Sequence, residues 1–179
     1  DYVRGAAKPR ITIIEYSDTE CPYCIRFHQT LKEVLNTYPN DVAWAYRFSP
    51  IPQLHPKAPA QAVAAHCVGK LNGVNAFWKY LDRIFETTPG NNGLDQNKLD
   101  EYAAELGINA KNFDACRTDE SSAARITADV TDARRAGLQG TPYSIVVNTD
   151  GKVIGTIPGY VTYAQLKPKI DAWVKAANQ

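Results

Sequence analysis

The chain has 179 residues, 44% of them hydrophobic, which suits one domain with a proper core and room for an inserted subdomain. Twenty basic and nineteen acidic residues leave a net charge of +1 with no basic block, which argues against nucleic acid as a partner. No apolar stretch approaches the roughly 20 residues that a membrane-spanning helix requires.

The chain opens at Asp1 and contains no methionine, as expected of a processed or trimmed product whose signal segment is absent. Residues 10–16, rich in Ile, predict a buried strand. Cys21-Pro22-Tyr23-Cys24 follows shortly after it. Cys21 opens a predicted helix with Ile25, Phe27, Leu31, Val34 and Leu35 at roughly helical spacing, and Pro39-Asn40 ends it. Pro22 is tolerated because the first helical turn has no backbone partner for that N–H. Residues 42–48 predict a second strand. The connection is long enough for a parallel crossover, hence a βαβ unit.

Beyond Pro50 the pattern changes. Pro50, Pro52, Pro56 and Pro59 interrupt the chain, and helical signals then dominate to about residue 135. Residues 58–69 are Ala-rich, and residues 74–86 carry Val74, Phe77, Trp78, Leu81, Ile84 and Phe85 on one amphipathic face. Asn91-Asn92-Gly93 predicts a loop. Asp95 is a candidate cap for a helix that stops at Gly107, and Asn109 for a short one holding Phe113 and Cys116. A final helix of this block spans 120–136. Strand signals return at residues 143–147 and 152–157, joined by an Asp150-Gly151 turn, and Thr162 can cap a last helix through Ala176.

The C-x-x-C pair carries the chemistry. A helix N-terminus favours negative charge, so the first sulfur can exist as a thiolate, with the second one turn away and able to reach back. Such a pair exchanges disulfides with other thiols. The motif is also half of a zinc site, but Cys67 and Cys116 are distant and form no second C-x-x-C, and His28, His55 and His66 form no H-x-x-x-H pattern. Redox chemistry is therefore expected, with no bound metal. His28, the one histidine near the pair, reads as a polar residue on the first helix. The even count of four cysteines points to an oxidising compartment if all pair; the alternative is a reducing one with free buried thiols at Cys67 and Cys116.

The β-α-β, helical block, β-β-α order is that of a thioredoxin fold with a helical insertion: an α/β architecture with a mixed sheet of about four strands, a thioredoxin-like part at 1–49 and 137–179, and an inserted helical subdomain at 50–136. The chain resembles the DsbA-like thiol–disulfide oxidoreductases. The resemblance rests on Ile14-Glu15-Tyr16-Ser17-Asp18 before Cys21-Pro22-Tyr23-Cys24, on Ala64-Ala65-His66-Cys67, Phe77-Trp78-Lys79-Tyr80, Tyr102-Ala103-Ala104-Glu105-Leu106-Gly107 and Phe113-Asp114-Ala115-Cys116, and on Gly137-Leu138-Gln139-Gly140-Thr141-Pro142 before the hairpin.

The resemblance implies roles for several residues. Cys21 is the exposed attacking sulfur and Cys24 lies buried behind it; Pro22 and Tyr23 sit beside the sulfur and tune it. The Pro-Tyr pair is the one glutaredoxins commonly carry, whereas several DsbA relatives have Pro-His. Pro142 stands where the family has a cis-proline, and Thr141 offers its backbone to an extended substrate. Glu15 is a buried acid able to take the proton of Cys24. From the residues alone, Arg47 on the neighbouring strand reads either as a partner for it or, at least as readily, as a solvated surface Arg. Without the C-x-x-C, Pro142 would read as an ordinary trans proline opening the strand, and the alternative for Glu15 is an acid facing solvent at an exposed strand position. Cys67 and Cys116 are expected to form a structural disulfide. Trp44, Trp78 and Trp173 read as core or half-buried aromatics, and Gly155, Gly159 and Tyr160 as a possible flank of the substrate groove.

The expected activity is an extracytoplasmic, periplasmic or secreted disulfide oxidase. It acts as a monomer on substrate proteins with cysteine thiols, needs no cofactor beyond its own disulfide, and is reoxidised by a membrane redox partner. A reductase or isomerase on the same fold, or a metal-binding thioredoxin-like module, are the alternatives.

Overall fold

A computed structural model describes residues 1–177. Its elements run β1 (Tyr2–Gly5), β2 (Ile11–Ser17), α1 (Pro22–Thr37), β3 (Val42–Phe48), α2 (Ala58–Thr87), α3 (Asn97–Glu105), α4 (Ala110–Thr118), α5 (Glu120–Arg135), β4 (Tyr143–Asn148), β5 (Val153–Pro158) and α6 (Tyr163–Ala176). The strands form one mixed sheet in the order β1-β3-β2-β4-β5. β2 and β3 are parallel, as the crossover through α1 requires, and every other pair is antiparallel.

The sheet has five strands rather than about four. The additional one, β1, is four residues long, and its Tyr-Val-Arg-Gly sequence is too short and too polar to stand out. It lies at the sheet edge against β3, with Arg4 opposite Trp44 and Tyr2 opposite Tyr46. Tyr2 fastens it to the helical block. Its ring stacks on Phe77 at 3.7 Å, its hydroxyl meets His66 Nδ1 at 2.7 Å, and it lies so close to Gly69 that a Cβ there would come within 2.3 Å of the ring.

The helical patterns at 58–69 and 74–86 are two helical stretches, labelled together as α2, that are separated by a non-helical break at Gly73. Gly73 has φ 82° and ψ 177°, a conformation open essentially to glycine alone. Asn109 caps α4 by accepting from the Asn112 N–H, and Thr162 and Gln165 form a capping box on α6. Asp95 lies one residue outside its expected place: Gln96 is the N-cap of α3, and Asp95 Oδ1 accepts from the Asn97 N–H.

The alternation of β2 and β3 builds the site. Ile11, Ile13 and Glu15 are fully buried on one face, with Glu15 opposite Tyr46 of β3 and Ser144 of β4. Trp44 and Tyr46 share that face and pack against His28 of α1 and Trp78 and Phe85 of α2. Trp44, Trp78, Phe77, Leu81 and Phe85 are all core, as their spacing suggested; Trp173 is half-buried against Gly155. On the opposite face, Tyr16 and Arg47 meet Asp132 of α5. No helix among the described residues is long and apolar enough to cross a membrane.

Candidate active site

Cys21 is the N-cap of α1, with Pro22 in the first turn. No side chain caps this end and no acid occupies its first turn, so the Cys21 sulfur takes the place beside the unpaired N–H groups. Several neighbours lower the Cys21 thiol to about 6: the Cys24 thiol foremost, then the backbone N–H of Cys24, the Thr141 side chain and the backbone N–H of Tyr23. Burial acts in the other direction and loses. Cys24 is fully buried, and burial, reinforced by Cys21 and by the negative charge of Glu15, pushes its thiol well above the ordinary range. The two sulfurs are unbridged, so this is the reduced form, with Cys21 primed as thiolate and Cys24 held as thiol.

Cys21 is less open than an exposed attacking sulfur, with 6% of the residue accessible. The first turn of α1 and the Thr141 loop close over it. Tyr23 beside it is 58% exposed and forms an outward-facing aromatic surface. The Thr141–Pro142 peptide is cis, and the Thr141 carbonyl accepts the Cys21 thiol proton at 3.4 Å. Pro142 is buried, and its carbonyl accepts the Gly159 N–H at 2.9 Å, which ties the β5–α6 turn to the same loop.

Glu15 is fully buried, and neither carboxyl oxygen makes a well-formed hydrogen bond. Burial raises its carboxyl to about 7, against the opposing influence of the Ser17 and Trp44 side chains and the Arg4 charge. Arg47 is not its partner. Strand alternation puts Arg47 on the face away from Tyr46 and Glu15, where it binds Asp1, Asp132 and the Tyr16 hydroxyl. The cation on the Glu15 side is Arg4, whose guanidinium stacks over Trp44 at 4.3 Å and Trp78 at 4.0 Å and binds Asp82 at 2.9 Å. His28, a polar residue of the first helix as expected, also joins Asp82, at 2.6 Å, and is fully buried; burial lowers it to about 4, so it is neutral near pH 7.

Two buried acids next to the cysteines escaped the sequence reading. Asp18 accepts from the N–H groups of Glu20 and Ile51, each at 2.8 Å, and from His55 Nδ1 at 2.9 Å, while its own N–H donates to Cys24 Sγ at 3.4 Å. Glu20 accepts from Gln61 Nε2 at 2.5 Å and from the Thr88 hydroxyl at 3.4 Å. Together they anchor the turn before Cys21 to the Pro-rich loop and to α2. The polar run Ser17-Asp18-Thr19-Glu20 after an apolar strand is the signal that could have flagged them; their partners, 33 to 68 residues away, carried none.

Cys67 of α2 and Cys116 of α4 form a disulfide that closes a separation of 49 residues inside the helical block. An apolar groove of about 440 Å³ runs past Ile51, Pro52, Val63, Ile126 and Leu138, and a polar one of about 560 Å³ lies along α1 at Arg26, Gln29 and Glu33. Neither is lined by Cys21 or Cys24. Among the described residues, no three or more His, Cys, Asp and Glu side chains gather as a metal site.

Fold and site together define a thioredoxin-fold dithiol centre. A family model described as Thioredoxin matches residues 1–172. The crystal structure of Pseudomonas aeruginosa DsbA2 superposes with a TM-score of 0.79 at 29% identity, covering 97% of this chain and 94% of that one. A thioredoxin-like oxidoreductase from Silicibacter pomeroyi DSS-3 gives a TM-score of 0.77 at 25% identity, covering 97% and 91%. Wolbachia pipientis alpha-DsbA1 shares the fold, with a TM-score of 0.81 at 22% identity over 99% of this chain and 92% of that one. Among curated proteins, the Na(+)/H(+) antiporter NhaA 1 of Salinispora arenicola is 32% identical over 142 residues, 79% of this chain but 21% of the antiporter. The chain thus spans about a fifth of the length of the curated relatives it matches. The chain belongs to the thioredoxin family, and its fold is similar to that of the DsbA-type structures.

Proposed function

We propose that this protein is an extracytoplasmic oxidase that donates the Cys21–Cys24 disulfide to substrate proteins. The observation that carries this reading is the split between the sulfurs: Cys21 is held near 6 at a helix start and Cys24 is pushed well above the ordinary range behind it. A stabilised thiolate favours the reduced dithiol, which makes the disulfide a stronger oxidant. In the oxidised form, a substrate thiolate attacks Cys21 Sγ and Cys24 leaves as thiolate, to be protonated. A second substrate thiol then attacks the mixed disulfide, the substrate disulfide forms and Cys21 departs as the stabilised thiolate.

Cys21 is nearly closed off and Cys24 wholly so, beside the outward-facing Tyr23, and neither groove is lined by them. Such a site suits a cysteine on an extended protein segment, laid along the Thr141 backbone, better than a small molecule that needs an enclosing pocket. Pro22, Tyr23, Thr141 and Pro142 are its contact residues and Glu15 the proton acceptor for Cys24. The Cys67–Cys116 bridge supports an oxidising compartment. A membrane redox partner reoxidises the dithiol, and the protein acts as a monomer, with 1–49 and 137–179 as the thioredoxin-like part and 50–136 as the insertion.

Cys24→Ala tests this reading. In an oxidising extract it should accumulate mixed disulfides through Cys21, visible as reducible high-mass bands on a non-reducing gel. A variant that captures no thiol protein would contradict the proposal.

A further inference from the structure

Ser17 is a buried polar residue that the exchange steps above leave unused. It is the last residue of β2, two after Glu15, so the two-residue alternation points both side chains to one face. It is 1% exposed and its hydroxyl has no hydrogen-bond partner. A buried hydroxyl left unpaired is costly, so it calls for a role. On one side lie the carboxyl oxygens of Glu15, also unpartnered. On the other, the main chain immediately after Ser17 touches Cys24: the Asp18 N–H donates to Cys24 Sγ at 3.4 Å. The Ser17 hydroxyl favours the ionised form of three groups around it, Glu15, Cys24 and Tyr46.

We propose that the Ser17 hydroxyl relays the proton between the Cys24 thiol and the Glu15 carboxylate. The inference rests on the reading of Cys21 and Cys24 as an exchange centre and adds to it the proton path. When Cys24 attacks a mixed disulfide on Cys21, its proton passes to Ser17 Oγ as the Ser17 proton passes to Glu15. The Cys21–Cys24 bond forms, and the bond from Cys21 to the substrate sulfur breaks with its electron pair leaving on that sulfur. In the reverse sense, Cys24 leaves as thiolate and receives the Ser17 proton, which Glu15 replaces. A hydroxyl suits this because it donates and accepts at once. The ionisable groups facing Ser17 are Glu15 on its own strand, Cys24 of α1 and Tyr46 of β3; Arg4 lies over Trp44, and the Asp18–His55 pair follows in the turn.

The test uses the reduced protein and oxidised glutathione, followed by rapid acid quench and mass analysis. The first attack by Cys21 forms a glutathione mixed disulfide; its decay reports attack by Cys24. Ser17→Ala should leave the first step unchanged and slow the second by about 10- to 100-fold, so that the mixed disulfide accumulates. Ser17→Thr should restore most of the rate, and the equilibrium potential should stay at its wild-type value in both. If Ser17→Ala fails to fold, which its first step would reveal, Ser17→Gly supplies a second hydroxyl-free variant. A wild-type decay rate without the hydroxyl, with Glu15→Gln slowed, would overturn the relay and leave the exchange centre standing. A wild-type protein that forms no mixed disulfide at all would overturn both.

Discussion

Glu15 shows how one residue can set a balance between stability and chemistry. Its carboxyl is raised from 4.5 to about 7 by burial. The unfolded chain therefore releases this proton first as pH rises, and the folded state loses stability between about 4.5 and about 7, after which the loss is constant. Glu15→Gln removes that dependence. Relative to wild type, the variant should gain roughly 3 kcal/mol between pH 4 and pH 8, read by urea unfolding of the reduced protein at each pH. An equal difference at both values would mean that Glu15 is not the buried acid described. The position of Glu15 in an apolar strand was legible because an acid among isoleucines stands out. Of the two readings of Arg47, the pairing with Glu15 fails. The strand period alone removes Arg47, since Arg47 and Tyr46 must face opposite ways. Arg4 arrives from an edge strand too short to show a pattern.

Among the elements, most helix and strand positions followed from caps and periodicity, because local chemistry fixes them: Asn109 and Thr162 start their helices as their side chains suggest. The gap between the helical patterns at 58–69 and 74–86 falls where the backbone leaves the helical conformation, at Gly73. Nothing lies within 4 Å of where a Cβ would stand, so Gly73→Ala meets no clash and its cost is backbone strain alone. We expect a loss of about 1–3 kcal/mol in urea unfolding, with the disulfide exchange rate kept. An unchanged stability would show that the bend does not depend on this residue. The network of Asp18, His55, Glu20, Gln61 and Thr88 was illegible for a different reason. Each polar group is satisfied only by a residue brought near through the tertiary fold.

At the scale of the whole molecule, the helical insertion and the five-stranded sheet place a stabilised thiolate, a buried thiol, a raised acid and a cis-proline loop at one end of the sheet. The fold class was readable because the C-x-x-C sits between a strand and a helix and the Thr-Pro step precedes a hairpin, two markers more than a hundred residues apart. The direction of electron flow follows from the poise of the sulfurs, which no sequence pattern sets. The most direct test of the central claim is the equilibrium potential of the Cys21–Cys24 pair in glutathione buffers, with Cys67 and Cys116 followed separately by thiol mass labelling. A potential clearly above the value of about −270 mV typical of thioredoxin, with Cys67 and Cys116 protected throughout, is the predicted result. A potential at or below that value would contradict it and make the protein a reductase.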